Sequence, residues 1–209
     1  MLLSHGLRAA KAASGFLAYA ETQNSGTGST VSVALPYGVR QNDLLLAFAL
    51  GATNTLTWTG PAGWTEYRDS FTRGWYWKTA SATEAGPYVF TASAATNTNL
   101  GAILAFRSYQ YDSIGSNSVA GANPTITGIS VPSNDSIVLA VVAASNSNSD
   151  AVSYTFPAGW IKLYENNDGI VPSQAVGMRY FNAGFTGSIL VNGTAGVASS
   201  GTLVCLTRL

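Results

Sequence analysis

One cysteine and one histidine in 209 residues exclude several familiar chemistries at once. With Cys205 alone, neither an intrachain disulfide nor a cysteine metal cluster can form. Packing must hold the fold, and Cys205, inside the apolar run 203–206, reads as a small core hydrophobe. With His5 alone, in the N-terminal tail, neither a Ser-His-Asp triad nor a His-based metal site can be assembled. Charge is also scarce. Ten Lys and Arg balance ten Asp and Glu, and 10% of residues are charged, against roughly 25% in ordinary soluble domains. A neutral chain of this kind carries no electrostatic footprint for nucleic acid or an anionic membrane. No stretch approaches the ~18 consecutive apolar residues of a spanning helix. The first apolar run is cut by His5, Arg8 and Lys11, so it forms no signal-peptide core. The expectation is a protein folded in the cytosol, with no cofactor, no metal and no membrane insertion.

Helical periodicity is nearly absent after residue 20. Short runs of Val, Ile, Thr, Phe, Tyr and Trp recur instead, separated by Gly, Asn, Ser and Pro clusters, the pattern of an all-β sandwich or barrel. Residues 43–50 are apolar on both alternating faces: Leu44, Leu46, Phe48 and Leu50 on one, Leu45, Ala47 and Ala49 on the other. This predicts a central strand covered on both sides. Residues 109–123 read as a connecting loop.

Three short patterns occur twice, in the same order. Asn42-Asp43 opens an aliphatic run, as does Asn134-Asp135. Pro61-Ala62-Gly63-Trp64 recurs as Pro157-Ala158-Gly159-Trp160, and Gly101 and Gly201 open matching aliphatic stretches. The offsets drift smoothly through 92, 96 and 100 residues. This predicts an internal duplication, with repeats at about 28–108 and 122–209, inside one jelly-roll-like β-sandwich spanning 21–209. Two tandem small sandwiches are the alternative architecture. Each Pro-Ala-Gly suits a type I turn that returns its Trp to the sheet, so Trp64 and Trp160 read as core anchors. Trp58 matches Tyr154, and Trp75 and Trp77 match Met178 and Tyr180. The residues between them, Tyr76 against Arg179 and Lys78 against Phe181, are expected to face outward.

Candidate chemistry is thin. Glu66 with Asp69 and Glu165 with Asp168 are carboxylate pairs by proximity, the residue type that runs glycoside hydrolysis. Both read more simply as charges solvating strand ends, and no enzyme is expected. Asn166-Asn167-Asp168-Gly169 lacks the ligand alternation of an EF-hand calcium loop. Five aromatics, Trp58, Tyr67, Trp75, Tyr76 and Trp77, fall within 20 residues of the first repeat. Aromatic faces recognise neutral sugars, which makes Tyr67, Tyr76, Lys78 and Arg179 candidates for glycan binding or for an interface. Tyr76 leads, because Trp75 and Trp77 alternate to the opposite face. Residues 1–20 lie outside the repeats yet carry Leu2, Leu3, Leu7, Arg8 and Lys11, with Phe16 and Leu17 beyond. They read as an anchoring arm that orders on a neighbouring subunit.

The aliphatic strand at 42–50, Pro61-Ala62-Gly63-Trp64, the aromatic strand at 75–80 and the Ala102-Ile103-Leu104-Ala105-Phe106-Arg107 strand together resemble β-sandwich proteins of tailed bacteriophages and gene transfer agents. The start, Met-Leu-Leu-Ser-His-Gly-Leu-Arg-Ala-Ala, is similar to small virion proteins of phages of alphaproteobacteria. The resemblance implies a head decoration, head spike or fibre, or tail-fibre module. Such a protein is made in the host cytoplasm and displayed on the virion surface. Its partners would be capsid or fibre-base proteins, further copies of itself and a host surface glycan. The resemblance transfers no catalytic residue. A carbohydrate-binding module of an extracellular or tail-fibre protein is the alternative.

Overall fold

The computed structural model describes residues 15–24, 27–52, 56–70, 72–116, 121–144, 152–166, 172–194 and 197–209, without the side chains of Asp69 and Ser70. The protein is all-β, with antiparallel pairing throughout its sheets and no helix among the described residues. The first half contributes β1 (Phe16–Asn24), β2 (Gly28–Val33), β3 (Leu44–Gly51), β4 (Trp58–Thr59), β5 (Thr65–Ser70), β6 (Arg73–Thr79), β7 (Tyr88–Thr96) and β8 (Asn99–Phe106). The second half contributes β9 (Tyr109–Ile114), β10 (Thr125–Ile126), β11 (Ser130–Val131), β12 (Ser136–Ala144), β13 (Tyr154–Thr155) and β14 (Ile161–Asn166). It continues with β15 (Ser173–Phe181), β16 (Gly184–Phe185), β17 (Ile189–Leu190), β18 (Asn192–Gly193) and β19 (Ser199–Arg208).

Two five-stranded sheets form the middle of the molecule, ordered β1-β8-β3-β6-β5 and β9-β19-β12-β15-β14. They stack face to face. Leu44, Leu46 and Phe48 of β3 share one apolar cluster with Ile137, Leu139 and Val141 of β12. Tyr19 of β1 lies 5.7 Å from Tyr164 of β14, and Tyr67 of β5 lies 5.2 Å from Tyr111 of β9, centroid to centroid. The two sheets therefore run in opposite order across the interface. The other face of the first sheet (Leu45, Ala47, Tyr76, Ile103) packs against the three-stranded sheet β2-β7-β4. The other face of the second (Val138, Ala140, Leu203, Cys205) packs against short strand pairs, β10-β17, β11-β16 and β13-β18.

This arrangement explains why β3 and β12 are apolar on both faces: each is covered twice. It also merges the two architectures weighed from sequence. Each half makes its own two-layer sandwich, and the two sandwiches share a third core between them. Burial of this kind stabilises by about 25 cal/mol per Å² of apolar surface removed from water.

Two boundaries need correction. Residues 16–20 belong to the sandwich, not to the arm of residues 1–20, because β1 pairs along β8 from Phe106 to Asn99. The arm residues Leu2, Leu3, Leu7, Arg8 and Lys11 lie outside the described residues. Residues 109–114 are a strand, not part of a loop. β9 pairs with the edge of β19, and Tyr109 and Tyr111 face the shared core.

The ladders also shift the expected correspondence. Asn42 and Asp135 hold the same left-handed turn position, with φ of 70° and 57°. Leu46 pairs with Trp77, and Leu139 with Met178. Trp77 thus matches Met178, Lys78 matches Arg179, and Tyr76 matches Gly177. The sequence reading placed this strand two residues out of step.

The strand register gives the molecule two distinct ends. Gly15, Leu209, the Asn42–Asp43 turn and both Pro-Ala-Gly-Trp turns lie at one end, tied by Arg107 N–H to Gly15 O (2.7 Å) and Leu209 N–H to Ser108 O (3.0 Å). The connections β3–β4, β12–β13 and β14–β15 leave from the opposite end.

Candidate functional site

The aromatic platform expected around Tyr76 is not available to a ligand. Alternation along β6 does place Tyr76 opposite Trp75 and Trp77, but the β2-β7-β4 layer covers that face and leaves Tyr76 2% exposed. Its ring sits 5.4 Å from Phe90 and over Gly60, whose missing Cβ would meet the ring at 2.8 Å. Tyr67 is turned inward by the β-bulge between Glu66 and Arg68, against Trp75 and Tyr111. Burial, with the Tyr111 phenol adding to it, holds its hydroxyl well above the ordinary range.

Lys78 and Arg179 occupy equivalent places under the two Pro-Ala-Gly-Trp turns. Lys78 Nζ lies 2.7 Å from Glu84 Oε1, 5.5 Å from the Tyr88 ring centroid and 5.9 Å from that of Trp64. The Arg179 guanidinium lies 5.1 Å over Phe181, beneath Gly159. Arg179 is exposed and Lys78 half-buried. Both clamp a turn to a sheet edge. Trp64 packs edge-on against Tyr88 and Phe90, and Trp160 against Phe181, which agrees with their reading as anchors.

Glu84 supplies a pH-sensitive part of this clamp. Burial pushes its carboxyl up, but hydrogen bonds from Lys78, Tyr88 and the Ser81 N–H outweigh burial and hold it at about 2, against an ordinary 4.5. The folded value lies below the unfolded one, so the stabilisation is complete above the unfolded value and is lost as pH falls from there towards 2. Urea titrations of the wild type and Glu84→Gln are expected to differ most at neutral pH and to converge by pH 2. A gap that stays constant with pH would show that the carboxylate charge is not what stabilises the turn.

The carboxylate pairs do not assemble a catalytic site among the described residues. Glu165 accepts from Tyr154 N–H at 2.6 Å and from Lys162 at 2.9 Å, a structural role that fastens β14 to β13. Glu66 is exposed, while Asp168 and the side chain of Asp69 lie outside the described residues. Of the calcium candidates only Asn166 is described, and its Oδ1 is buried and unpaired. Among the described residues no three His, Cys, Asp or Glu groups lie together as metal ligands. Cys205 is buried, and burial pushes its thiol up to about 12, so it is inert as a nucleophile.

A different cluster went unnoticed in the sequence. At the end away from Gly15 and Leu209, the space between the two five-stranded sheets turns polar. Arg73 opens β6 at the inward position that Trp75 and Trp77 continue, and it is 6% exposed. Its Nη2 donates to Ala143 O across the interface at 3.0 Å, and its Nε has no partner. Ala143 pairs with Gln174, which is 0% exposed and has neither amide atom bonded. Gln174 pairs in turn with Asn166, 8% exposed. Burial lowers the Arg73 guanidinium to about 10, with Tyr154 opposing the shift and Arg68 adding to it. Towards the β5–β9 edge, Arg68 donates to Gly115 O at 2.6 Å and Thr202 donates to the same oxygen at 2.8 Å, so that side is closed. Parity was the signal available in the sequence: Arg73 and Gln174 stand two residues before core positions on their strands.

No family model, curated protein or solved structure matches the chain.

Proposed function

We propose that this protein is a non-enzymatic structural module of a phage particle surface, a head decoration, spike or fibre component. In this reading it is fastened through its N-terminal residues and projects its opposite end outward. The supporting observation is the polarity of the fold. Gly15, where the anchoring segment joins the sandwich, lies at the same end as Leu209, held there by the bond from Arg107 N–H to Gly15 O, and the connections β3–β4, β12–β13 and β14–β15 leave from the opposite end. A rigid three-core sandwich suits a spacer that transmits position without moving.

The strand order supports a jelly-roll origin. In the first half β1-β8-β3-β6 share one sheet, with β5 added at its edge beside β6, and β2-β7-β4 form the other; the second half repeats β9-β19-β12-β15 with β14 added beside β15. This fits duplication of one eight-strand jelly roll, in which two sheets hold the strands of two Greek keys. The alternative of a carbohydrate-binding module loses its platform with the burial of Tyr76 and Tyr67.

Deletion of residues 2–14 tests the proposal, since it leaves β1 intact. The truncated protein is expected to fold with an unchanged thermal midpoint and to be missing from purified particles. Normal incorporation of the truncated chain would remove the anchoring role.

A further inference from the structure

We infer that the polar end of the inter-sheet space is a binding site for a small hydroxy-carboxylate. Three side chains at least nine-tenths buried point unpaired groups into it: Arg73 Nε, both amide atoms of Gln174, and Asn166 Oδ1. The backbone places them together. Arg73 reaches Ala143 O at 3.0 Å, and Ala143, Gln174 and Asn166 are successive partners across β12, β15 and β14. An unmet buried polar atom costs about 1–3 kcal/mol, so four in one place imply an occupant.

The chemistry of the occupant follows from what is unmet. Arg73 forms no ion pair among the described residues, and its charged neighbour is another arginine, Arg68. A buried cation with no counter-ion among the described residues calls for an anion, and a guanidinium prefers a planar carboxylate. A carboxylate alone would leave Asn166 Oδ1 unmet, because that atom only accepts. A hydroxyl on the same molecule would donate to it. The occupant is small, because sheets stack only about 10 Å apart. Ala143 carries only a methyl group where the first half has Leu50, and it packs beside Leu50 and Leu100 at the apolar border of the site.

Thermal unfolding of the full chain tests this, with glycolate as probe and a bulky sulfonate anion keeping ionic strength constant. The midpoint is expected to rise by about 5 °C by 100 mM glycolate. The rise should be smaller with acetate and absent with neutral glycolamide. Arg73→Met should abolish the response while unfolding at or above the wild-type midpoint without glycolate, because it removes an uncompensated buried charge. Should that variant fail to fold, Gln174→Leu serves in its place. A wild-type midpoint that ignores glycolate overturns the inference and leaves the unpaired groups to water. An equal rise in wild type and Arg73→Met, or with glycolamide, overturns it as well.

Discussion

Tyr76→Ala is expected to cost about 3–5 kcal/mol in a urea titration, the range for truncating a large buried aromatic. The ring fills the gap between the first five-stranded sheet and the β2-β7-β4 layer, against Phe90 and above Gly60 and Gly74. Neither glycine can fill that gap. The second half solves the same problem in reverse. Gly177 stands where Tyr76 does, and Phe156, at the place of Gly60, lays its ring 2.6 Å from where a Gly177 Cβ would be. The aromatic comes from one layer in the first half and from the other layer in the second, and fills the corresponding gap in each. Gly60→Phe alone should overpack and destabilise by about 1–3 kcal/mol. In the double variant Gly60→Phe, Tyr76→Gly the two changes should compensate, recovering at least about 1 kcal/mol relative to Tyr76→Gly. A loss below about 1 kcal/mol for Tyr76→Ala would return this residue to the surface and reopen a stacking role.

That exchange also shows why the sequence misled at this strand. Alternation correctly separated Tyr76 from Trp75 and Trp77. What alternation cannot count is layers: a face opposite one core is solvent in a two-layer sandwich and a second core in this one. The clue was present in β3, whose two apolar faces require cover on both sides, and the same cover necessarily extends to its neighbour β6. Matching the halves by large apolar residues then failed by two positions, because the large residue stands on β6 in one half and just beyond β13 in the other. The Pro-Ala-Gly-Trp turns were legible because a turn, its glycine and its returning Trp are local. β1 and β9 were not, for a physical reason. Each is an edge strand whose inward positions mix Tyr with polar side chains, and bulges break the alternation in both pairings. The polar cluster at Arg73 and Gln174 was hidden differently. Each residue looks like an ordinary strand end, and only the stacking of two sheets brings them together.

Asp43→Ala is expected to lower stability by about 2–4 kcal/mol, although it removes only one small side chain at the edge of the core. Asp43 is 2% exposed and accepts three hydrogen bonds: from Arg107 Nε at 2.9 Å, Arg107 Nη2 at 2.8 Å and the Arg40 N–H at 2.8 Å. The fork on Arg107 ties the start of β3 to the end of β8, and Arg107 also donates to Gly38 O at 2.9 Å. One carboxylate thus joins the loop before β3 to the strand beside it, next to the left-handed turn at Asn42. Removing it strands a donor on each side. The Arg107 side chain is 38% exposed and regains part of its hydration, which keeps the expected loss below that of a fully buried pair. The second half offers a natural comparison, since Ser136 stands at the matching position and bonds Ser133 O at 2.7 Å instead. Asp43→Ser should therefore cost less than Asp43→Ala only if a loop carbonyl comes within reach; equal losses would assign the whole effect to Arg107. Asp43→Asn keeps the shape and an acceptor, and is expected to retain about half the stabilisation, because charge-assisted bonds are roughly twice as strong as neutral ones. If Asp43→Ala and Asp43→Asn both leave the urea midpoint unchanged, the pair holds nothing together and the tight end of the sandwich owes its order to apolar packing alone.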